Sequence, residues 1–413
     1  MNAATESGRI ATLDTIRGVA VMGIFAVNVI AFAMPFQAYF NPLAYGLESG
    51  ADRALWFATF ILIDGKMRGL FSLLFGASML LVIERAGAAG LAPAKVHYSR
   101  MVWLLLFGCL HYYLIWFGDI LTLYAMVGMV AFLFRKLTVR ALLLWGLGLA
   151  AFEMLFSSGG AWQFFAHEAA ARTPGASAEA LAEWRSMSGE FAIPDSAALS
   201  HELALFRGPW LGIVREQLTE GLTGPLFQLL FGGAETLGYM LLGMAGLKSG
   251  FLKGEWADER YRRIALWTLA VSIPVYAIMA WIVDRSGHDV AVFFLIFFVA
   301  AAPFRLAMMA GYAALIILLS RRGGPLAQRI AAAGRAAFTN YLGTSLIACA
   351  VFYGWGFGLY GRLSRLEAWL AVPLVWLLIL LWSKPWLDRF RYGPFEWLWR
   401  SLARFSLQPM RRA

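Results

Sequence analysis

The sequence predicts an all-α fold, a polytopic transmembrane helical bundle with about ten crossings, and three observations carry that expectation. Hydrophobic residues make up 60% of the chain and charged residues only 15%, against roughly 45–50% and 25% in an average soluble domain. The apolar excess is bunched into runs of about 15–30 residues separated by short charged clusters, the pattern of helices in lipid. Seventeen Trp and 14 Tyr suit aromatic belts at two membrane interfaces.

The first apolar segment covers 14–35. Arg9 before it and Ala31-Phe32-Ala33 at its end imitate a secretory signal with a cleavage site. Yet the stretch from Ile16 to Met34 is long enough to span and holds Arg17 and Asn28, so it reads as a retained helix. The second segment, 54–83, contains Asp64-Gly65-Lys66-Met67-Arg68. It is either two short crossings or one long crossing interrupted near residues 64–69. Charge bias decides for one. With the N-terminus inside, the inner loops then collect Arg85/Lys95/Arg100, Arg135/Lys136/Arg140, Lys248 through Arg263, Arg321/Arg322/Arg329 and the basic tail. Two crossings would put every later basic loop outside. Both termini are therefore expected in the cytoplasm.

Segments 101–117, 120–134 and 140–156 follow, then a polar insert at 157–207. Its six carboxylates outnumber Arg172, Arg185 and Arg207, as suits an outer-face segment, whether lid or solvated loop. Segments 224–247, 264–283, 290–320, 335–355 and 366–383 complete the set. The tail 384–413 mixes Trp397, Leu398, Trp399, Leu402 and Phe405 with arginines, as in an interfacial amphipathic anchor. The organisation is thus 1–156 (five membrane helices), 157–207 (outer insert), 208–383 (five more helices) and 384–413 (cytoplasmic interfacial tail).

Several function classes are excluded or disfavoured. The net charge of +10 sits in loops between apolar runs, where the positive-inside rule puts it, so nucleic-acid binding is not expected. Cys109 and Cys349 both lie in apolar segments, and neither a disulfide framework nor a metal site is indicated. No Walker loop, dinucleotide fingerprint, zinc spacing or nucleophile elbow is present. The lack of an internal repeat disfavours inverted-repeat transporters.

Charges at membrane depth cost several kcal/mol each (about 2.5–3.5 on insertion scales) and need a reason. Asp64, Lys66 and Arg68 fall in the second crossing beside Gly65 and Gly69, Glu235 is central in the sixth, and Arg305 follows Pro303 in the eighth. These form a substrate-site set, or Glu235 and Arg305 simply neutralise each other. His111 is the one histidine well inside an apolar run, and Asp119 follows the Gly118 turn eight residues on. A hairpin there can bring carboxylate to imidazole, the minimum equipment of a general base; a packing hydrogen bond is the alternative. Asp14 with Arg17, and Arg335 with Asn340, cluster toward the inner side. They suit an anionic cofactor, or they merely cap helix ends.

Certain motifs carry a resemblance. The opening Arg9-Ile10-x-x-Leu13-Asp14-x-x-Arg17-Gly18-x-Ala20-x-x-Gly23-Ile24-x-x-x-Asn28 resembles that of the YeiB-like bacterial membrane proteins. So do Phe71-Ser72-Leu73-Leu74-Phe75-Gly76-Ala77 and His111…Gly118-Asp119-Ile120-Leu121-x-x-Tyr124-Ala125. Gly334-Arg335-x-Ala337-x-Thr339-Asn340-Tyr341 and Gly393-Pro394-x-Glu396-x-Leu398-Trp399-Arg400 resemble the family's C-terminal domain. The family in turn distantly resembles transmembrane acyltransferases typified by heparan-α-glucosaminide N-acetyltransferase. Those share the Asp-x-x-Arg-Gly first helix and use an intramembrane histidine.

The resemblance implies a bacterial inner-membrane protein that moves an acyl group from cytoplasmic acyl-CoA to an outer hydroxyl or amine, on a lipid, glycan or small molecule. No His lies between the first two crossings here, so His111, oriented by Asp119, takes the catalytic part. Asn28 and Tyr124 join Asp64, Lys66, Arg68, Glu235 and Arg305 as substrate-binding candidates. Asp14, Arg17, Arg335 and Asn340 are the cofactor-binding ones. The competing expectations are a transporter or channel for a small organic ion, and a non-enzymatic lipid- or quinone-binding protein. A homo-oligomer is compatible with each.

Overall fold

The computed structural model describes residues 10–412; Arg9 of the opening motif lies outside them. All nineteen α-helices in the described residues belong to one bundle. The face where the first helix begins is called the near face and its opposite the far face. Helix α1 (Ala11–Ala33) runs to the far face, where a short turn, α2 (Gln37–Phe40), precedes α3 (Gly50–Leu62) and α4 (Lys66–Ala88). Then come α5 (Pro93–Leu114), α6 (Leu121–Ala131) and α7 (Val139–Arg172). The insert folds into α8 (Ala178–Ser188) and α9 (Ser196–Phe206), with α10 (Trp210–Thr219) after it. The second half comprises α11 (Gly224–Lys248), α12 (Asp258–Arg285), α13 (Val290–Phe294) and α14 (Ala302–Arg321). After the short α15 (Pro325–Arg335) come α16 (Ala337–Phe352), α17 (Arg365–Trp369), α18 (Ala371–Arg389) and α19 (Pro394–Ala403).

Seven stretches among the described residues are long and apolar enough to cross a bilayer, with Gly50–Ala88 counted as one. The outward sides are greasy: Leu144, Phe152 and Leu155 of α7 are 64%, 59% and 67% exposed. In water such a surface would aggregate; in lipid it is the solvated side. The protein is therefore an integral membrane protein. The shorter helices Leu121–Phe134, Val290–Ala300 and Ala337–Phe352 lie among the longer ones.

The second crossing is one interrupted passage. Helix α3 starts at the far face, where Arg53 Nε donates to Asp284 at the end of α12 (2.7 Å). Arg85, in the last turn of α4, lies in the same cavity wall as Asp14 near the start of α1, so direction is kept across the break. The break is tighter than the expected 64–69. It occupies Ile63–Gly65, with Gly65 at φ +72°, and helix resumes at Lys66. A positive φ is cheap only for glycine. A Cβ there would also stand 2.7 Å from Arg305 Nε, so Gly65 makes room for that guanidinium.

Between α4 and α11 the backbones nearly touch. A Cβ on Gly76 would sit 2.0 Å from the Met240 carbonyl oxygen, and one on Gly243 would sit 1.8 Å from that of Leu73. Small residues at such crossings let van der Waals packing hold helices together where lipid removes the hydrophobic drive. This fixes α11, with Glu235 in mid-helix, against α4, with Arg68 in its first turn. Farther on, the chain from α13 winds wider into a π-helical turn at Leu295–Ala300 before α14. Pro303, without an N–H, cannot complete the regular ladder there.

The polar insert is packed, not loose. The fifth crossing continues unbroken to Arg172, so the 156/157 boundary falls inside a helix. On the far face Glu202 accepts from the Phe36 amide (2.9 Å) and the Tyr360 hydroxyl (3.0 Å), and burial raises its carboxyl above the ordinary range. Phe191 packs on Phe40 with ring centroids 4.9 Å apart. On the near face the tail folds back onto the bundle: Glu396 of α19 accepts from the amides of Phe338 (2.7 Å) and Thr339 (3.1 Å). The carboxylate thereby caps the start of α16, where free N–H groups favour negative charge.

Candidate functional site

Two cavities enter the bundle from its two faces. The near one, of about 500 Å³, lies among α1, α4, α5, α6, α15, α16 and the tail; the far one, of about 350 Å³, is walled by α1, α4, α7, α11 and the π turn. Tyr341 of α16 belongs to both walls.

The near wall carries Arg17, Arg85, Arg100, Arg335, Arg391 and Arg400, facing the carboxylates of Asp14 and Glu396. Glu396 is already committed to the amides of α16. Arg17 reaches Asp14 Oδ1 (3.2 Å), the Gly334 carbonyl (3.4 Å) and Ser78. Arg100 lies over the Trp399 ring at 4.0 Å and Arg400 over the Tyr392 ring at 4.6 Å. Burial, with the like charges of Arg404 and Arg17 adding to it, lowers the pKa of Arg400. Crowded guanidinium groups of this kind are costly to bury unless an anion offsets them. Deeper, Phe71, Phe75, Leu104, Leu121 and Phe338 line an apolar throat that ends at Tyr124 and Tyr341.

The far wall carries Asn28, Asp64, Arg68, Asp119, Glu153, Glu235 and Arg305, set among aromatic rings. Glu235 is the hub. Its Oε1 accepts from Arg305 Nη1 (2.8 Å) and the Tyr239 hydroxyl (2.7 Å), while Oε2 accepts from Arg68. Its amide donates to Glu153 Oε2 (3.3 Å). Glu235 and Arg305 do pair, and Arg68 joins them. Asp64 accepts from the Tyr39 hydroxyl (3.1 Å).

Behind the wall of the far cavity lies the His111–Asp119 pair. The chain reverses through Trp116–Ile120, and Asp119 Oδ1 accepts from the Thr122 amide (2.8 Å) while Oδ2 meets His111 Nδ1 at 2.7 Å. A carboxylate only accepts, so Nδ1 carries the proton and Nε2 presents its lone pair. Nε2 is buried and has no hydrogen-bond partner. The imidazole is in neither cavity wall; Asp119 lines the far one, and the Tyr341 ring lies 5.3 Å from the imidazole.

The remaining expected residues divide. Asp14, Arg17 and Arg335 meet in the near wall. Tyr124 is there too, its hydroxyl 2.7 Å from Ser72 Oγ and donating to the Arg68 carbonyl (3.2 Å), so it meets the far-wall candidates only through the backbone of α4. Lys66 is in neither wall: it is fully buried, donates to the Phe60 carbonyl (2.5 Å) and sits 3.4 Å from the Tyr276 ring centre. Asn340 is also outside both, bonded to the Ala333 carbonyl (2.9 Å) and Trp382 Nε1 (3.0 Å). Sequence reasoning passed over Glu153, Tyr341, Arg100, Arg391 and Arg400. Glu153 had a readable signal, an acid inside the apolar run 140–156. Among the described residues no cluster of His, Cys, Asp or Glu could hold a metal ion.

Residues 246–406 match the family described as "Protein of unknown function (DUF418)". The chain is 34% identical to "Uncharacterized protein YeiB" of Escherichia coli (strain K12), covering 95% of each chain. It is 32% identical to "Uncharacterized protein YxaH" of Bacillus subtilis (strain 168), covering 97% of this chain and 96% of that one. A 39.9 kDa protein from the amylase 3' region of Bacillus acidopullulyticus is 27% identical over 95% and 93%. No solved structure matches. With similarity running through nearly the whole length, and with the motifs of α1, α4 and α16 in its two cavity walls, the chain belongs to the YeiB-like family of membrane proteins.

Proposed function

We propose that the protein is a bacterial inner-membrane acyltransferase, moving an acyl group from cytoplasmic acyl-CoA to a hydroxyl or amine acceptor held on the other side. The near face, with its basic loops, is then cytoplasmic, and so are both termini. The observation that carries the reading is Tyr341. It is the shared wall between a guanidinium-rich cavity and a polar one, and it stands directly against a histidine whose second nitrogen is free.

The near wall fits a polyanionic thioester. Arg17, Arg85, Arg100, Arg335, Arg391 and Arg400 would hold its phosphates, and the apolar throat would take the pantetheine arm and acyl group. The thioester supplies an activated carbonyl. Asp119 fixes the tautomer and orientation of His111, so that Nε2 can take the proton from the acceptor as its heteroatom bonds to the acyl carbon. The carbon–sulfur bond breaks, and the thiolate recovers a proton. Displacement of the Tyr341 ring opens His111 toward the junction. The test is transfer of labelled acyl from acyl-CoA to membrane material in proteoliposomes. Loss of transfer in His111→Gln supports the reading, and purified protein that binds no acyl-CoA sinks it.

A second reading, transport of a small organic ion, draws on the helix break beside the Arg68–Glu235–Arg305 hub. Uptake of an unmodified solute by proteoliposomes, without any acylated product, would favour it.

A further inference from the structure

We propose that the far cavity binds the headgroup of an aminophospholipid that enters sideways from the bilayer, with Glu153 receiving the ammonium and Arg68 the phosphate. This rests on reading that cavity as the acceptor side, and it narrows the acceptor to a membrane lipid with a primary amine.

Three features argue it. The first is an unused carboxylate oxygen. Of the four acids in the wall, Glu235 has both oxygens engaged by Arg68, Arg305 and Tyr239, and Asp119 has both engaged by His111 and the Thr122 amide. Asp64 accepts from Tyr39. Glu153 is 8% exposed, and its Oε1 has no partner although it lies in the cavity wall. A buried carboxylate oxygen left open is costly, and a primary ammonium, with three donors, satisfies it better than a neutral hydroxyl can.

The second feature is a cation close by. Glu153 and Arg68 both bond to Glu235, one through its backbone amide and the other through its side chain. A third of the Arg68 side chain remains accessible. Ammonium and phosphate lie two carbons apart in an ethanolamine headgroup, and these two residues offer matching charges flanking one hub.

The third feature is the route. Phe231 of α11 lines the cavity and is also 55% exposed on the greasy flank, where it packs on Phe156 of α7 with centroids 5.9 Å apart. The cavity wall therefore reaches the lipid-facing surface between α7 and α11. A headgroup can enter there while its acyl chains stay in the bilayer.

The test uses the full chain, reconstituted in liposomes of equimolar phosphatidylethanolamine, phosphatidylcholine and phosphatidylglycerol, then extracted into mild detergent. Retained lipid is read by native mass spectrometry, with no acyl donor present. Phosphatidylethanolamine should be enriched at least about tenfold over phosphatidylcholine, the size expected for losing one charge-assisted hydrogen bond. Mono- and dimethylated headgroups should fall between, a series that needs no variant. Glu153→Gln, checked for unchanged elution and melting, should bring the ratio to near one. Equal retention, a preference for the choline or glycerol headgroup, or selectivity surviving in Glu153→Gln would each overturn the proposal. Selective retention without any transfer from acyl-CoA would leave this site standing and remove the acyltransferase reading instead.

Discussion

The ring of Tyr341 stands 5.3 Å from that of His111 and forms the wall that both cavities share. Its hydroxyl also accepts from the Ile120 amide (3.2 Å), next to Asp119. One side chain thus touches the proposed proton acceptor, the turn that orients it, and the boundary between the two cavities.

The chemistry should depend on imidazole and tautomer alike. His111→Gln is expected to cut acyl transfer by about two to four orders of magnitude. Asp119→Asn should cost a comparable factor, because an amide in that place can hold the wrong tautomer. Melting in detergent should change little in the first variant, and an equally active His111→Gln enzyme would remove His111 from the mechanism.

Donor affinity should lie in the tail. Arg391→Gln and Arg400→Gln are expected to raise KM for acyl-CoA by about tenfold each with kcat nearly unchanged, since each removes a charge that faces phosphate. Binding should weaken steeply with salt. A fall in kcat at constant KM would instead place the tail at the reacting atoms.

Stability should be concentrated at the hub. Glu235→Gln leaves Arg68 and Arg305 without their shared counter-charge and should cost about 3–5 kcal/mol, seen as a large drop in melting temperature. Adding Arg305→Met should restore part of it, because fewer buried charges are then left unpaired. A neutral effect of Glu235→Gln would show that the hub is hydrated and weak.

Gly243→Ala puts a methyl where only 1.8 Å separates it from the Leu73 carbonyl oxygen. The helices α4 and α11 must part, and melting should fall by an amount equivalent to about 1–3 kcal/mol. Arg68 and Glu235 lie on those two helices, so activity should fall with it.

Acid should loosen the far face. Burial pushes His288 down to about 4, with Asp284 opposing and Arg365 and Arg53 assisting. A histidine held neutral in the fold contributes stability that is present above its ordinary value of 6.5 and is lost as pH falls through about 4. Melting temperature should decline across that window, and His288→Asn, which tolerates the φ of 57°, should flatten the decline.

Much of the frame could be read from the chain because its signals are local. Apolar runs marked the helices, Gly65 marked the break, and Gly118 marked the hairpin that joins His111 to Asp119. What escaped depends on distant partners. Glu396 meets Phe338 across 58 positions, so a tail rich in Trp and Arg read as an anchor when it is also a cavity wall. Asn340 and Lys66 looked like site residues by depth alone. Their partners, Trp382 for one and the Tyr276 ring for the other, lie on other helices, and no spacing along the sequence reveals them. Glu153 was visible as an acid in an apolar run, but its open oxygen became apparent only once α11 was placed beside it.

The carboxylate of Glu396 pins α19 to the start of α16, and α16 carries Tyr341 one turn further on. The arginine-rich wall and the ring that separates the two compartments are thereby mechanically linked: whatever pries α19 off the bundle would loosen the partition between them at the same stroke.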